Sequence, residues 1–191
     1  MKSKILYFVL AYVLLIVVMF LLPPFSASDY SLVKNTTSQL GAQSTPNAWI
    51  MNVTFVALGL SVMAAGWKFL KNYWLQRIVL LVFGVSLVFV AIYSHAPIDI
   101  TLDYSHREHQ IHSVFSSVTG FSFTMFAFSM AFIFKHMYDR WVAMLVGVFS
   151  ILLTTLMFSI SDFAGIWQRM IFIMSFGWLI YVFGSKRKKK L

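Results

Sequence analysis

ILYFVLAYVLLIVVMFLL, residues 5–22, is a run of eighteen residues without a charged side chain. At about 1.5 Å per residue a helix of this length measures about 27 Å, which is enough to cross the hydrocarbon core of a bilayer. Two lysines precede the run and Pro23-Pro24 ends it. The alternative is a cleaved signal peptide, since residues 25–27 loosely resemble a cleavage site. Signal peptides carry only about 7–15 apolar residues, so the run favours a retained membrane span.

Similar apolar runs follow along the rest of the chain. Hydrophobic residues make up 60% of the sequence and charged residues 11%, against about 25% charged in a soluble domain. These values predict an all-α polytopic membrane protein in which six transmembrane helices form one bundle and one domain, residues 1–191. The five further spans are Ala48 to Trp67, Ile78 to Ser94, His112 to Phe134, Trp141 to Ile160 and Ile166 to Phe183.

The basic residues are distributed unequally between the two sides that six spans would create. One side has twelve of the 15 and the other has Lys34, Arg107 and Arg169. Basic residues concentrate in cytoplasmic loops, so we predict a cell-membrane protein with both termini in the cytoplasm and residues 95–112 outside. The tail at 186–191 is predicted to be cytoplasmic and to bind anionic lipid. The net charge of +9 therefore indicates membrane lipid as a partner and does not indicate nucleic acid. The twelve basic residues on the side assigned to the cytoplasm are Lys2, Lys4, Lys68, Lys71, Arg77, Lys135, Arg140 and the five basic residues of the tail.

Most of the unusual chemistry lies in HAPIDITLDYSHREHQIHSVFSSVTG, residues 95–120, which contains four of the five histidines. His106, His109 and His112 are spaced i, i+3, i+6 and would fan over about 120° of a helix. Two of them could bind a metal together with a carboxylate from Asp99, Asp103 or Glu108. Imidazole and carboxylate ligands suit zinc. The alternative is a half-solvated helix start whose histidines bind nothing.

His112 opens the fourth span, where an ionisable side chain is costly without a partner. Ser116 lies one helical turn further on the same face. A serine nucleophile with a histidine base is one hypothesis, and Asp99 or Asp162 would orient the imidazole. The alternative is that the Ser and Thr hydroxyls of this helix bond to backbone carbonyls or to a neighbouring helix.

Arg169 lies about one turn inside the sixth span, beside Gln168. An arginine at that depth either extends to the membrane surface or pairs with a carboxylate. Asp162 is the nearest predicted partner, and Asp99 or Glu108 would serve if the spans converge. The alternative ligand is a lipid phosphate or carboxylate.

A set of short motifs is spread along the chain: Ser38-Gln39-Leu40-Gly41-Ala42, Pro46, Asn52, His112, Gly165 and Gln168-Arg169. This pattern resembles the prokaryotic six-span membrane proteins of domain-of-unknown-function family 998. The resemblance implies the six-span fold but no activity. It also implies that residues 38–42, His112 and Gln168-Arg169 belong to one site on the outer face, and it does not include His106 or His109.

Three functions fit these patterns. The first is an integral membrane protein whose outer-face pocket binds a lipid or small amphiphile, with Arg169 on the anionic group and His112 hydrogen-bonded to the ligand. Asp162, Gln168 and Ser38 would complete that pocket. The second is a metal-dependent intramembrane hydrolase or acyl-transfer enzyme that acts on lipids. The third is a small transporter or channel, which ranks last because the polar residues cluster at one face.

Overall fold

The computed structural model of the protein describes residues 2–184, and the basic tail predicted at 186–191 lies outside them. Six α-helices account for most of these residues, and no strand occurs within 2–184. The helices are α1 (Lys2–Leu21), α2 (Ala48–Phe69), α3 (Trp74–Ile92), α4 (His106–Ile133), α5 (Met137–Ser159) and α6 (Ala164–Gly184).

The predicted six-helix membrane fold is confirmed. All six helices are long and apolar enough to cross a membrane. Large apolar side chains are exposed on the outside of the bundle, and Phe121 and Phe158 are 69% and 75% accessible. Such a surface would be unfavourable in water and is the expected one where the solvent is lipid.

The helices form a ring in which each packs mainly against its neighbours in sequence, and α6 closes the ring against α1. Aromatic side chains fill the middle. The ring of Phe176 lies 6.2 Å from that of Phe8 and 5.9 Å from that of Phe83, which joins α6 to α1 and α3. Close helix packing is possible where a side chain is missing, as between α2 and α3. A Cβ on Gly59 would lie 2.6 Å from the carbonyl oxygen of Gly84.

α4 begins earlier than the sequence indicated, at His106 and not at His112. The hydroxyl of Ser105 accepts a hydrogen bond from the Glu108 backbone N–H at 3.3 Å, which caps the helix. Ser followed three residues later by Glu is a helix-start signal that an apolar count overlooks. The first turns of α4 therefore extend beyond the apolar segment and carry the histidines.

The bundle has two chemically different ends. We call one the histidine end; it contains the long loop (residues 22–47) and the histidine loop (residues 93–105). The other, the basic end, contains the turns between α2 and α3 and between α4 and α5. There the Tyr181 hydroxyl near the end of α6 donates to the Asp139 carboxylate near the start of α5, at 2.8 Å.

Candidate functional site

Three imidazole rings meet at the histidine end. His95 lies in the histidine loop, and its ring centroid is 4.6 Å from that of His109 and 5.2 Å from that of His112. Both contacts are edge-to-face. His112 is buried, with 3% of its surface exposed, while the other two are partly buried. We call these three residues the histidine cluster.

Hydrogen bonds assign the proton position on two of the rings. Nδ1 of His112 lies 3.0 Å from the carbonyl oxygen of Val90 and 2.8 Å from that of Tyr93. Nδ1 of His95 lies 2.7 Å from the carbonyl oxygen of Ala96. A carbonyl oxygen only accepts, so Nδ1 carries the proton in both neutral rings. Each Nε2 then has a free lone pair, with no hydrogen-bond partner within residues 2–184.

His109 adopts the opposite tautomer. The Ala96 backbone N–H donates to Nδ1 of His109 at 3.2 Å, so the proton of the neutral ring is on Nε2. The histidine cluster therefore offers two hydrogen-bond acceptors and one donor. Ala96 bridges His95 and His109, because its carbonyl accepts from one and its N–H donates to the other.

The imidazole of His95 stays neutral at physiological pH. Its pKa is lowered from 6.5 to about 4, mainly by burial and to a smaller extent by the neighbouring His112 and His109, while the hydrogen bond to Ala96 opposes the shift. A neutral ring keeps its Nε2 lone pair available.

The residues predicted to hold zinc do not form one group. His106 and Asp103 are exposed, and the His106 ring contacts that of Tyr104 in a tilted arrangement, with the centroids 4.4 Å apart. His109 uses Nδ1 for the Ala96 N–H, so binding a metal through Nε2 would require it to lose its proton. Within 2–184 no three His, Asp or Glu side chains are arranged to hold a metal ion. The zinc site stays a prediction that this geometry does not support.

The predicted catalytic residues make no hydrogen bonds to one another within residues 2–184. The Ser116 hydroxyl is buried and has no hydrogen-bond partner in the described part of the chain. The Nδ1 proton of His112 is directed at carbonyls and no carboxylate orients the ring. Asp99 is exposed, and two hydrogen bonds from Thr101 lower its pKa. A nucleophile, base and orienting acid are therefore not assembled here.

Arg169 holds the long loop in place. Its Nη1 donates to the carbonyl oxygens of Leu32 at 2.9 Å, Asn35 at 3.1 Å and Gly165 at 2.8 Å. Its Nη2 donates to the Tyr30 hydroxyl at 2.7 Å. The predicted ion pair with Asp162 is wrong: Arg169 is only 4% exposed and inside the fold, whereas Asp162 is on the surface and pairs with Lys34 at 3.7 Å.

The residues around Arg169 extend this attachment. The Thr37 backbone N–H donates to Oε1 of Gln168 at 2.7 Å, and Nε2 of Gln168 lies 3.5 Å from the Ser38 hydroxyl. Gly165 has to lack a side chain, since a Cβ there would lie 2.4 Å from the carbonyl oxygen of Asn35. These contacts hold the long loop against the start of α6.

Gln43 connects the long loop to the histidine loop. Its backbone N–H donates to the His95 carbonyl at 2.9 Å. Its side-chain amide donates to the carbonyls of Ser94 at 3.2 Å and Ser105 at 3.1 Å, and accepts from the Ser105 N–H at 2.8 Å. Sequence reasoning missed Gln43 and His95. A single glutamine in a polar loop has no spacing signal, and His95 lies outside the helix that carries the other histidines.

An aromatic stack adjoins the histidine cluster. The rings of Phe89 and Phe115 are 4.6 Å apart and nearly parallel, and Tyr93 stacks on Phe115 at 6.2 Å. The Tyr93 backbone carbonyl accepts from His112, so the chain connects the stack to that imidazole through the Tyr93 backbone. All three rings are partly exposed. The site thus combines unpaired imidazole nitrogens with an accessible aromatic surface.

The model of one family, described as a protein of unknown function (DUF998), matches residues 9–184. No curated protein and no solved structure matches the chain.

Proposed function

The chain belongs to the DUF998 family, and we propose that it binds the ammonium headgroup of a membrane amphiphile at the histidine cluster. The proposal rests mainly on the tautomers of His95 and His112. Both Nδ1 protons are bonded to backbone carbonyls, which leaves two Nε2 lone pairs on rings whose centroids are 5.2 Å apart. His109 would add one donor for a neighbouring hydroxyl or ester oxygen of the ligand.

The lone pairs favour a ligand that donates hydrogen bonds. An alkylammonium group has N–H donors and can satisfy both Nε2 atoms. A phosphate or carboxylate has only acceptor oxygens, which would face the lone pairs of His95 and His112 and be repelled. An anion would bind only if the imidazoles were protonated, and burial of His95 opposes that.

The charges of the surrounding segment favour a cation as well. Residues 95–112 contain Asp99, Asp103 and Glu108, but only Arg107 as a basic residue. An excess of carboxylates raises the local concentration of cations and repels anions. These side chains need not touch the ligand to have this effect.

The aromatic stack would contact the ammonium group and the adjoining part of the amphiphile. A cation beside the face of Tyr93 or Phe115 gains a cation–π attraction of about 0.5–2 kcal/mol, depending on its exposure to water. The apolar tail would then lie along α3 and α4 within the hydrocarbon region of the membrane.

Arg169 has a positioning role in this proposal. Both of its terminal nitrogens donate to protein oxygens, and its Nε, which has no partner within residues 2–184, is buried, so an anionic ligand would have to displace part of the surrounding structure to reach the guanidinium. The ligand with an anionic group at Arg169, which the sequence suggested, is therefore less well supported than a cationic one. Arg169 fixes the loop that Gln43 joins to the histidine cluster.

The orientation of the site belongs to the same proposal. The excess of basic residues on the side of the two termini supports a cytoplasmic basic end and an outward-facing histidine end in the cell membrane. The ligand would then come from the outer leaflet or the outer solution.

Binding of dodecylammonium to the full-length protein in dodecyl maltoside tests the proposal. Isothermal titration calorimetry should give one saturable site for dodecylammonium, and much weaker binding of dodecanol and dodecanoate. Because His95→Ala removes one charge-assisted hydrogen bond, we expect the Kd to rise about tenfold. His106→Ala changes an exposed histidine of the same segment and should leave the Kd unchanged. Dodecanoate binding as tightly as dodecylammonium, or no effect of His95→Ala, would contradict the proposal.

A further inference from the structure

A small cavity lies in the interior of the bundle, away from the histidine cluster. Its volume is about 50 Å³, and α3, α4, α5 and α6 all contribute to its wall. The wall is mainly aromatic, with Phe83, Phe123 and Phe176, but it also contains the hydroxyl side chains of Ser150, Thr154 and Ser175.

The cavity lies near the middle of the membrane-crossing region. Ser175 is close to the centre of α6 (Ala164–Gly184), about 15 Å of helix from either end. Ser150 is similarly central in α5 (Met137–Ser159). At this depth bulk water is not available to satisfy a polar group.

Two of the hydroxyls in the wall are not satisfied by the protein. Ser150 donates to the carbonyl of Val146 at 2.9 Å, the usual arrangement for a serine in a membrane helix. Ser175 does not follow it: its residue is 3% exposed, and its buried hydroxyl has no hydrogen-bond partner within 2–184. Thr154 is only partly buried, and its hydroxyl makes no hydrogen bond in the described part of the chain. Unpaired hydroxyls are costly in a hydrocarbon environment.

We propose that this cavity is a binding site for a neutral hydroxyl group, H–O–R, which hydrogen-bonds to Ser175 and Thr154. The group belongs either to water or to a small alcohol dissolved in the membrane. All residues that line the cavity are uncharged, which excludes a charged ligand at this depth. The volume suits about two to four water molecules or one short alcohol.

Gly120 gives the cavity an entrance from the lipid. It lines the cavity and is exposed on the surface of α4. A Cβ built on Gly120 would meet no atom within 4 Å, so the wall is open there. A small neutral molecule can reach Ser175 from the membrane interior without passing the histidine end. The site is therefore independent of the proposed ammonium site.

The sign of the stability change in Ser175→Ala tests the proposal. If the hydroxyl binds a ligand, Ser175→Ala loses a hydrogen bond and should lower the Tm of the full-length protein by about 2–4 °C. If the cavity is dry, the same substitution removes an unpaired buried hydroxyl, and the Tm should rise or stay unchanged. That result would overturn the proposal. Ser122→Ala is the matched control for the Ser-to-Ala change itself, since this buried serine does not line the cavity and donates to the Val118 carbonyl at 2.6 Å.

A second measurement distinguishes the two sources of the hydroxyl. In protein reconstituted into deuterated lipid, proton NMR should show magnetisation transfer from water to Ser175 when the ligand is water. When it is an alcohol, that transfer is absent, and ethanol should raise the Tm of the wild type but not of Ser175→Ala. Failure of both signals would overturn the proposal, whatever the result at the ammonium site.

Discussion

His112 shows how backbone hydrogen bonds can fix the proton position of a neutral imidazole ring. Its Nδ1 proton is held by two carbonyls of α3 and the segment after it, so the other nitrogen can only accept. The sequence identified His112 as an ionisable residue near the start of a span, and the structure places it in the interior. The sequence could not identify its partner, because His95 comes from the preceding loop and i, i+3, i+6 spacing relates only residues of one helix.

The pH dependence of stability should report on His95. Its pKa is about 4 in the folded protein and about 6.5 in an unfolded chain, so between these values the unfolded chain binds the proton more tightly. Stability should therefore fall as the pH is lowered from about 6.5 to 4. The Tm of His95→Gln should fall less than that of the wild type over this range. His106→Gln, at an exposed position, should keep the wild-type slope. Parallel curves for His95→Gln and wild type would contradict the assignment.

At the scale of elements, the long loop is an ordered part of the bundle. Its own structure includes a short helical turn at Thr37–Gly41, at the start of which the Thr36 backbone N–H donates to Oε1 of Gln39 at 2.8 Å. α6 holds the loop through Arg169 and Gln168, and α2 holds it through Asn52, which donates to the Gly41 carbonyl at 3.2 Å. The family motifs could be read from the sequence, but their role could not, because the acceptors of Arg169 are backbone carbonyls and any residue type supplies those.

Substitution of Arg169 should release the long loop. A lysine has one ammonium group and cannot reach the three carbonyls and the Tyr30 hydroxyl that the guanidinium joins. Arg169→Lys should therefore destabilise the fold by about 3 kcal/mol and increase proteolysis within the long loop. Thermal unfolding and limited proteolysis of the purified protein would measure both. Lys34→Gln, which removes an exposed ion pair, should have almost no effect. Equal effects of the two substitutions would show that Arg169 does not hold the loop.

At the scale of the whole molecule, six apolar runs were sufficient to predict a six-helix bundle. Helix ends were predicted less well, because α4 carries polar turns beyond its apolar segment and the apolar count stopped at His112. The interior cavity and the ring order of the helices could not be read from the sequence either. They depend on which faces of the helices meet, and α3 and α6 share the cavity wall although two helices separate them in sequence.

The orientation of the bundle can be tested in intact cells. The chain contains no cysteine, so single cysteines can be introduced without altering a native thiol. Because basic residues are retained in the cytoplasm, a membrane-impermeant maleimide should label Lys34→Cys and Asp103→Cys at the histidine end. Lys71→Cys and Lys135→Cys at the basic end should react only after the membrane is opened. The reverse pattern would place the site in the cytoplasm.

The most direct test of the ammonium site is ¹⁵N NMR of the histidine side chains. On addition of dodecylammonium, the Nε2 resonances of His95 and His112 should move, because each nitrogen accepts a new hydrogen bond. Those of His106 and His136 should stay in place. If dodecylammonium leaves the Nε2 resonances of His95 and His112 unchanged, or moves that of His106 equally, the histidine cluster is not the ligand site.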